Sequence, residues 1–180
     1  MEYIVDEQLM GKVKDGNLDA LAPLFEKYHV KLYNFFLRLC RNREISKDLT
    51  QNVFQRIIAY RDSYNEQWKF RTWMYQIARN VLFKHYQENK FLQSDYFEPE
   101  HMMQDEKTAI EEMDFESKKN NLFEALSQLT PEQQEIIELS KFQGLKYQEI
   151  SEITGSSVTA IKVKVHRAIQ KLKEVYFELA

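Results

Sequence analysis

Three groups of residues combine side-chain type and spacing in ways that could do chemistry. Lys162, Lys164, Arg167, Lys171 and Lys173 fall in the stretch 157–173, which contains no acidic side chain. Just before it, Ile150, the small Ser151, Ile153, Gly155, Val158 and Ile161 have the spacing of two helices meeting at a tight turn. The small residue lets the helices approach, the glycine takes the turn, and Val158 and Ile161 pin the second helix on the first. Ser156 or Ser157 can cap that second helix, leaving Thr159, Lys162, Lys164, His166 and Arg167 outward. Short and cationic side chains near a helix start are what a DNA major groove and its phosphates accept. A helical hairpin with a solvated basic face has the same residues. The coincidence of cap, glycine, apolar spacing and one-signed charge favours DNA.

A second group, Asp48, Gln51, Asn52 and Gln55, recurs at three- and four-residue steps and so shares one helical face. Amides with a single carboxylate are uncommon on a merely solvated face, where Lys and Glu predominate. A protein interface and simple solvation both fit this group. The third group is Trp68–Asn80, which mixes aromatic and basic residues. Trp73 and Ile77 read as core, while Arg71, Tyr75, Gln76, Arg79, Asn80, Phe83 and Lys84 include the outward positions. Aromatic faces stack on unpaired bases while cations hold the backbone. A core stripe with scattered surface charge is the competing reading.

These groups must be positioned by helices. Glycine and proline are too scarce, at four and three, for the turns of an all-β fold. Apolar residues from Leu18 to Leu39 recur at helical steps, with Pro23 marking a fresh start after a short preceding helix. A second helix is expected from an N-cap at Ser46, burying Leu49, Val53, Phe54, Ile57 and Ile58. A third is expected from Phe70, burying Trp73, Met74, Ile77, Ala78, Val81 and Leu82. Thr130-Pro131-Glu132-Gln133 is a helix start with hydroxyl cap, proline and capping-box glutamine, and Gly144 is its stop.

Charge divides the 180 residues, whose formal net charge is −3. Segment 1–91 is basic on balance, 92–121 strongly acidic, and 122–180 nearly neutral despite its basic stretch. With Pro99 and few large aliphatic residues, 92–121 reads as an acidic linker with at most short helical turns. The expected architecture is all-α: two small helical domains, 1–91 and 122–180, joined by that linker. A lone cysteine, Cys40, excludes an internal disulfide framework. The charged first residues argue against a signal peptide, and no apolar run approaches a membrane span, so a cytoplasmic protein is expected. The four histidines are far apart, Cys40 has no cysteine to pair with, and no phosphate-binding glycine loop occurs. No catalytic residues, metal site, cofactor or small-molecule substrate are expected, and an enzyme is the least favoured class.

In order along nearly the whole chain, several of these segments resemble one family. Asp48-Leu49-Thr50-Gln51-Asn52-Val53-Phe54 resembles an Asp-Leu-x-Gln-x-x-Phe segment. Phe70 through Asn80 resembles the signature that follows it, and Gly155 through Leu172, with His166-Arg167-Ala168, resembles the C-terminal helix. The family is the sigma-70 family of bacterial RNA polymerase sigma factors, in its small two-domain, extracytoplasmic-function (ECF) group.

The resemblance implies that 1–91 is sigma domain 2, with Asp48, Gln51, Asn52 and Gln55 docking on the clamp-helix coiled coil of the largest polymerase subunit. The loop 63–69 and Asn80 would hold a base flipped from the melted −10 element, giving Tyr64, Asn65, Gln67, Trp68, Arg71, Tyr75, Arg79 and Asn80 as −10 contacts. Domain 122–180 would be sigma domain 4, reading the −35 element with Ser157, Thr159, Lys162, Lys164, His166, Arg167 and Lys171. The linker would thread toward the polymerase active-site cleft. An anti-sigma factor, in some relatives membrane-bound, is a further implied partner. Ser151, Ile169 and Pro23 depart from the family's usual residues. A stand-alone helix-turn-helix regulator is the alternative, but it leaves the amide face and the aromatic-basic helix without a role. A third class is an all-helical adaptor that binds no nucleic acid.

Overall fold

The computed structural model describes residues 5–89 and 112–179, and side chains from residue 117 onward in the second segment. The chain divides into two units, Met1–Tyr96 and Phe97–Ala180. All described regular structure is helical. The expected linker 92–121 lies outside the described residues up to residue 111.

The first unit contains α1 (Asp6–Lys14), a 3₁₀ turn (Leu18–Ala20), α2 (Leu21–Cys40), α3 (Arg43–Ala59), a second 3₁₀ turn (Arg61–Ser63) and α4 (Phe70–Glu88). α2 packs on α3, α3 on α4, and α1 against both α2 and α4. The expected stripes close the core: Leu24, Leu32, Phe35 and Phe36 from α2, Leu49, Val53 and Ile57 from α3, Met74, Ala78 and Val81 from α4. Pro23 sits in the first turn of α2, where a backbone N–H has no partner inside the helix to lose. The α2–α3 corner turns on Arg41, the one described non-glycine residue with positive φ, at 54°.

α3 starts earlier than expected. Its cap is Asn42, whose side chain accepts from the Ile45 N–H at 3.0 Å. Ser46 is buried inside the helix and donates its hydroxyl to the Asn42 carbonyl at 2.6 Å. A hydroxyl bonded back to the preceding turn satisfies itself within a helix, so Ser46 has no need of the terminus.

The second unit contains α5 (Glu112–Ser127), α6 (Pro131–Ile137) continuing into a π-helical turn (Glu138–Phe142), α7 (Tyr147–Thr154) and α8 (Val158–Leu179). α5, α6 and α7 all pack on α8. α5 begins inside the segment expected to be linker. Residues 112–127 contain neither proline nor glycine, and Phe123, Ala125 and Leu126 bury one face, so tertiary packing outweighs the acidic composition. The Thr130 capping box forms on both sides: Gln133 N–H to the Thr130 hydroxyl at 3.3 Å, and Thr130 N–H to the Gln133 carboxamide at 3.1 Å. Gly144 follows the π turn at φ 63°, ending that helix.

Candidate nucleic-acid and polymerase interface

In the second unit, α7 and α8 build the helix-turn-helix. Gly155 sits at the α7 C-cap with φ 75°, a left-handed conformation that costs glycine little. The Ser157 hydroxyl accepts from the Ala160 N–H at 3.1 Å, so Ser157 rather than Ser156 caps α8. Ile150, Ile153, Ile161 and Val165 are buried between the helices. That burial turns Thr159, Lys162, His166, Arg167 and Lys171 outward, all exposed, with Ser157 exposed at the helix start. Lys164 differs. It is half-buried, and its ammonium lies 2.6 Å from the Glu132 carboxylate on α6. α8 thus presents a cationic face in which Lys164 is tied to α6 of the same unit, and Lys171 pairs at 3.6 Å with Glu174 on its own helix.

On α3 the four polar residues remain together opposite the buried stripe. Asp48, Gln51 and Gln55 are exposed and Asn52 is half-buried. The Asn52 carboxamide oxygen accepts from Arg56 Nε at 2.8 Å. That bond fixes the amide's orientation and adds Arg56, a residue the sequence reading passed over, to the same face.

Loop 64–69 is a built structure. Its anchor is Tyr64, 1% exposed, whose ring packs against Phe70 and Trp73. The Tyr64 hydroxyl donates to the Trp68 carbonyl at 2.8 Å, spanning the loop. Burial, reinforced by Glu7, Glu66 and Asp6, pushes this phenol well above its ordinary pKa, so it stays a donor. Across the same loop Trp68 N–H donates to the Asn65 carbonyl at 2.9 Å, and Gln67 N–H to the Asn65 side chain at 3.0 Å. What faces outward is Asn65, Glu66, Gln67 and Trp68, the indole being 55% exposed.

Tyr75 also belongs to the interior rather than to a base-stacking surface: it is 1% exposed and packs against Phe35. The expectation that Tyr64 and Tyr75 offer ring faces to DNA is therefore corrected. A ring with both faces against protein has none left for a base. Arg71 and Arg79 are half-buried, Arg79 lying 4.3 Å over the Phe83 ring, and Asn80 is exposed. Gln76, Asn80, Phe83 and Lys84 form the open stripe of α4.

The fold is that of a two-unit helical protein with a helix-turn-helix carrying a cationic face in one unit and an aromatic-amide surface in the other. The family models agree in chain order: sigma-70 region 2 matches residues 24–91, and sigma-70 region 4 matches residues 119–172. The RNA polymerase sigma factor CarQ of Myxococcus xanthus is 30% identical over 170 residues, covering 94% of this chain and 97% of that protein. The sigma factor YlaC of Bacillus subtilis is 28% identical over 158 residues, covering 87% and 91%. Among solved structures, CnrH in complex with the cytosolic domain of CnrY superposes with a TM-score of 0.73 at 20% identity, covering 94% of this chain and 96% of that one. The sigma factor RpoE of Bartonella quintana, in complex with the anti-sigma factor NepR, has a TM-score of 0.64 at 22% identity, covering 90% and 96%. The chain belongs to the sigma-70 family of RNA polymerase sigma factors, in its extracytoplasmic-function group. It is a transcription initiation factor that directs core polymerase to promoters and assists their opening. Among the described residues, no helix is long and apolar enough to cross a membrane.

Proposed function

We propose that the three surfaces divide the work of initiation. Asp48, Gln51, Asn52 and Gln55, with Arg56, dock on the clamp helices of core polymerase. Asn65, Gln67, Trp68 and Asn80 receive a base flipped from the −10 element, while Arg71 and Arg79 support the strand's phosphates. Ser157, Thr159, Lys162, Lys164, His166, Arg167 and Lys171 read and grip the −35 duplex. The two units divide accordingly, the first melting the promoter and the second, from α5 onward, anchoring it. The factor catalyses no reaction itself and works in the cytoplasm, where polymerase is.

The observation that carries this reading is the internally bonded loop 64–69, which exposes an indole and two carboxamides from a buried tyrosine anchor. Such a loop offers stacking and hydrogen bonding together, as an unpaired base requires. The experiment is reconstitution with core polymerase and runoff transcription on genomic fragments, with Trp68→Ala beside the wild type. Wild-type holoenzyme should initiate at a shared upstream sequence, and the variant should bind but fail to open it. Equal transcription by both would refute the role of the loop.

We further propose an anti-sigma partner, supported by the anti-sigma factor bound to the RpoE relative. Affinity capture of the full chain from its own cells, competed by added core polymerase, tests it. A captured protein that core polymerase cannot displace would argue against a competing inhibitor.

A further inference from the structure

α1 reaches the loop 64–69 at two points and the start of the helix that follows it at a third. Glu7 accepts from the Phe70 N–H at 2.9 Å. Phe70 opens α4, and the residue before it, Lys69, provides no side-chain cap, so a carboxylate from 63 residues upstream satisfies the first backbone N–H of that helix. Lys14 donates its ammonium to the Tyr64 carbonyl at 2.7 Å. Between them lies Gly11, buried in the middle of α1. A mid-helix glycine is destabilising by roughly 0.5–1 kcal/mol relative to alanine, and its φ is not in the left-handed region, so backbone conformation does not require it. Its neighbour explains it better: a Cβ there would stand 2.7 Å from a carboxylate oxygen of Glu66, in the loop, so the glycine leaves room for that carboxylate to lie against α1. One end of the loop, its middle and the helix that follows are thus each set against α1.

We propose that Glu7, Gly11 and Lys14 are positioning residues that set the geometry with which loop 64–69 selects its base. The proposal rests on the reading of that loop as the −10 base pocket. Lys14 fixes the backbone at Tyr64, from which the hydroxyl bond to Trp68 spans the loop. Gly11 lets the Glu66 carboxylate rest against α1, a side-chain contact at the residue between Asn65 and Gln67 that a Cβ would displace. Glu7 holds the first turn of α4, the helix that carries Asn80. A displacement of a fraction of an ångström at these points alters hydrogen bonds to a base edge, where each good pair discriminates against the wrong base by a large factor.

The test uses full-length protein assembled with core polymerase. The probe is a pool of DNA duplexes with a randomised segment held open as an unpaired bubble, sequenced after selection for binding. Gly11→Ala is the sharpest variant, because alanine favours the helix and the obstructing Glu66 carboxylate can swing away, so the fold survives. In Gly11→Ala and Lys14→Met the preferred-to-next base ratio at one position should fall about fivefold or more, with core binding and preferences elsewhere unchanged. Lys14→Arg and Glu7→Gln, which keep a donor and an acceptor, should restore the wild-type ratio, and Glu7→Leu should not. Unchanged ratios in Gly11→Ala and Lys14→Met, or an equal loss at every position, would overturn the proposal. Trp68→Ala and Asn65→Ala separate the two failures. If they shift the preference and the α1 variants do not, positioning by α1 is wrong; if none shifts it, the base-pocket reading falls and the proposal with it.

Discussion

Lys164 on α8 lies 2.6 Å from the carboxylate of Glu132 in the first turn of α6, so one member of the cationic cluster on α8 is already paired from within. Both side chains are substantially exposed, and such pairs contribute about 0–1 kcal/mol to stability. Removing the acid should leave the fold intact and release a cation. Glu132→Gln should therefore tighten holoenzyme binding to promoter duplexes of every sequence and steepen the log–log salt slope by up to about 0.9, one phosphate contact. Binding at several salt concentrations checks this. An unchanged slope would mean that Lys164 meets no phosphate.

On α3, surface and core make opposite predictions. Asp48 and Gln55 are exposed, whereas Leu49 and Ile57 are buried. Asp48→Arg with Gln55→Glu should weaken core-polymerase binding with melting temperature nearly unchanged, since surface substitutions usually cost within about 0.5 kcal/mol. Leu49→Ala should cost about 2–5 kcal/mol of stability. Polymerase pull-down beside thermal unfolding distinguishes the two, and wild-type binding by the surface double variant would remove this face from the interface.

How much of this was legible in the sequence depends on the range of the interaction. The Thr130 box, Gly144, Gly155 and the start of α4 at Phe70 are local signals, and the structure has each where the sequence puts it. Ser46 misled because serine can bond either a helix terminus or the preceding turn, and only burial decides. Tyr64 and Tyr75 misled for a related reason: tyrosine has an apolar ring and a polar tip, so its place in a mixed aromatic stretch does not say which way it faces. The contacts of Glu7 and Lys14 span 63 and 50 residues and leave no periodic trace. Gly11 lies before Leu18, where the sequence reading begins its helical pattern, and the reason for a glycine there shows only once Glu66 is seen against it.

Cys40 gives a pH prediction. Burial pushes its thiol up to about 12, partly offset by the neighbouring Tyr86 hydroxyl. The thiolate is the reactive form, so alkylation of native protein at neutral pH should be far slower than after unfolding. For stability the sign follows from which state loses its proton first. The unfolded thiol ionises near its ordinary value, below the folded one, so the contribution of Cys40 is full at neutral pH and is lost as pH rises from about 9 toward 12. Cys40→Ser should show a smaller alkaline loss of stability than wild type. Identical pH profiles in denaturant titrations would exclude this origin.

The melting prediction separates the exposed indole from its buried anchor. Trp68→Ala removes a ring that is 55% exposed and makes no core, so stability should hardly change. Stacking on a base is worth about 1–3 kcal/mol, so open-complex formation should fall on duplex promoters and recover in part on a pre-melted bubble. Tyr64→Phe keeps the packed ring and deletes only the bond to the Trp68 carbonyl, at a cost of about 1 kcal/mol. It should produce a milder opening defect with the same partial rescue, since it loosens the loop without removing the stacking face. Permanganate footprinting of the bubble against filter binding of closed complexes reads the two steps apart. Equal defects of Trp68→Ala on melted and duplex templates would place Trp68 in binding rather than in opening.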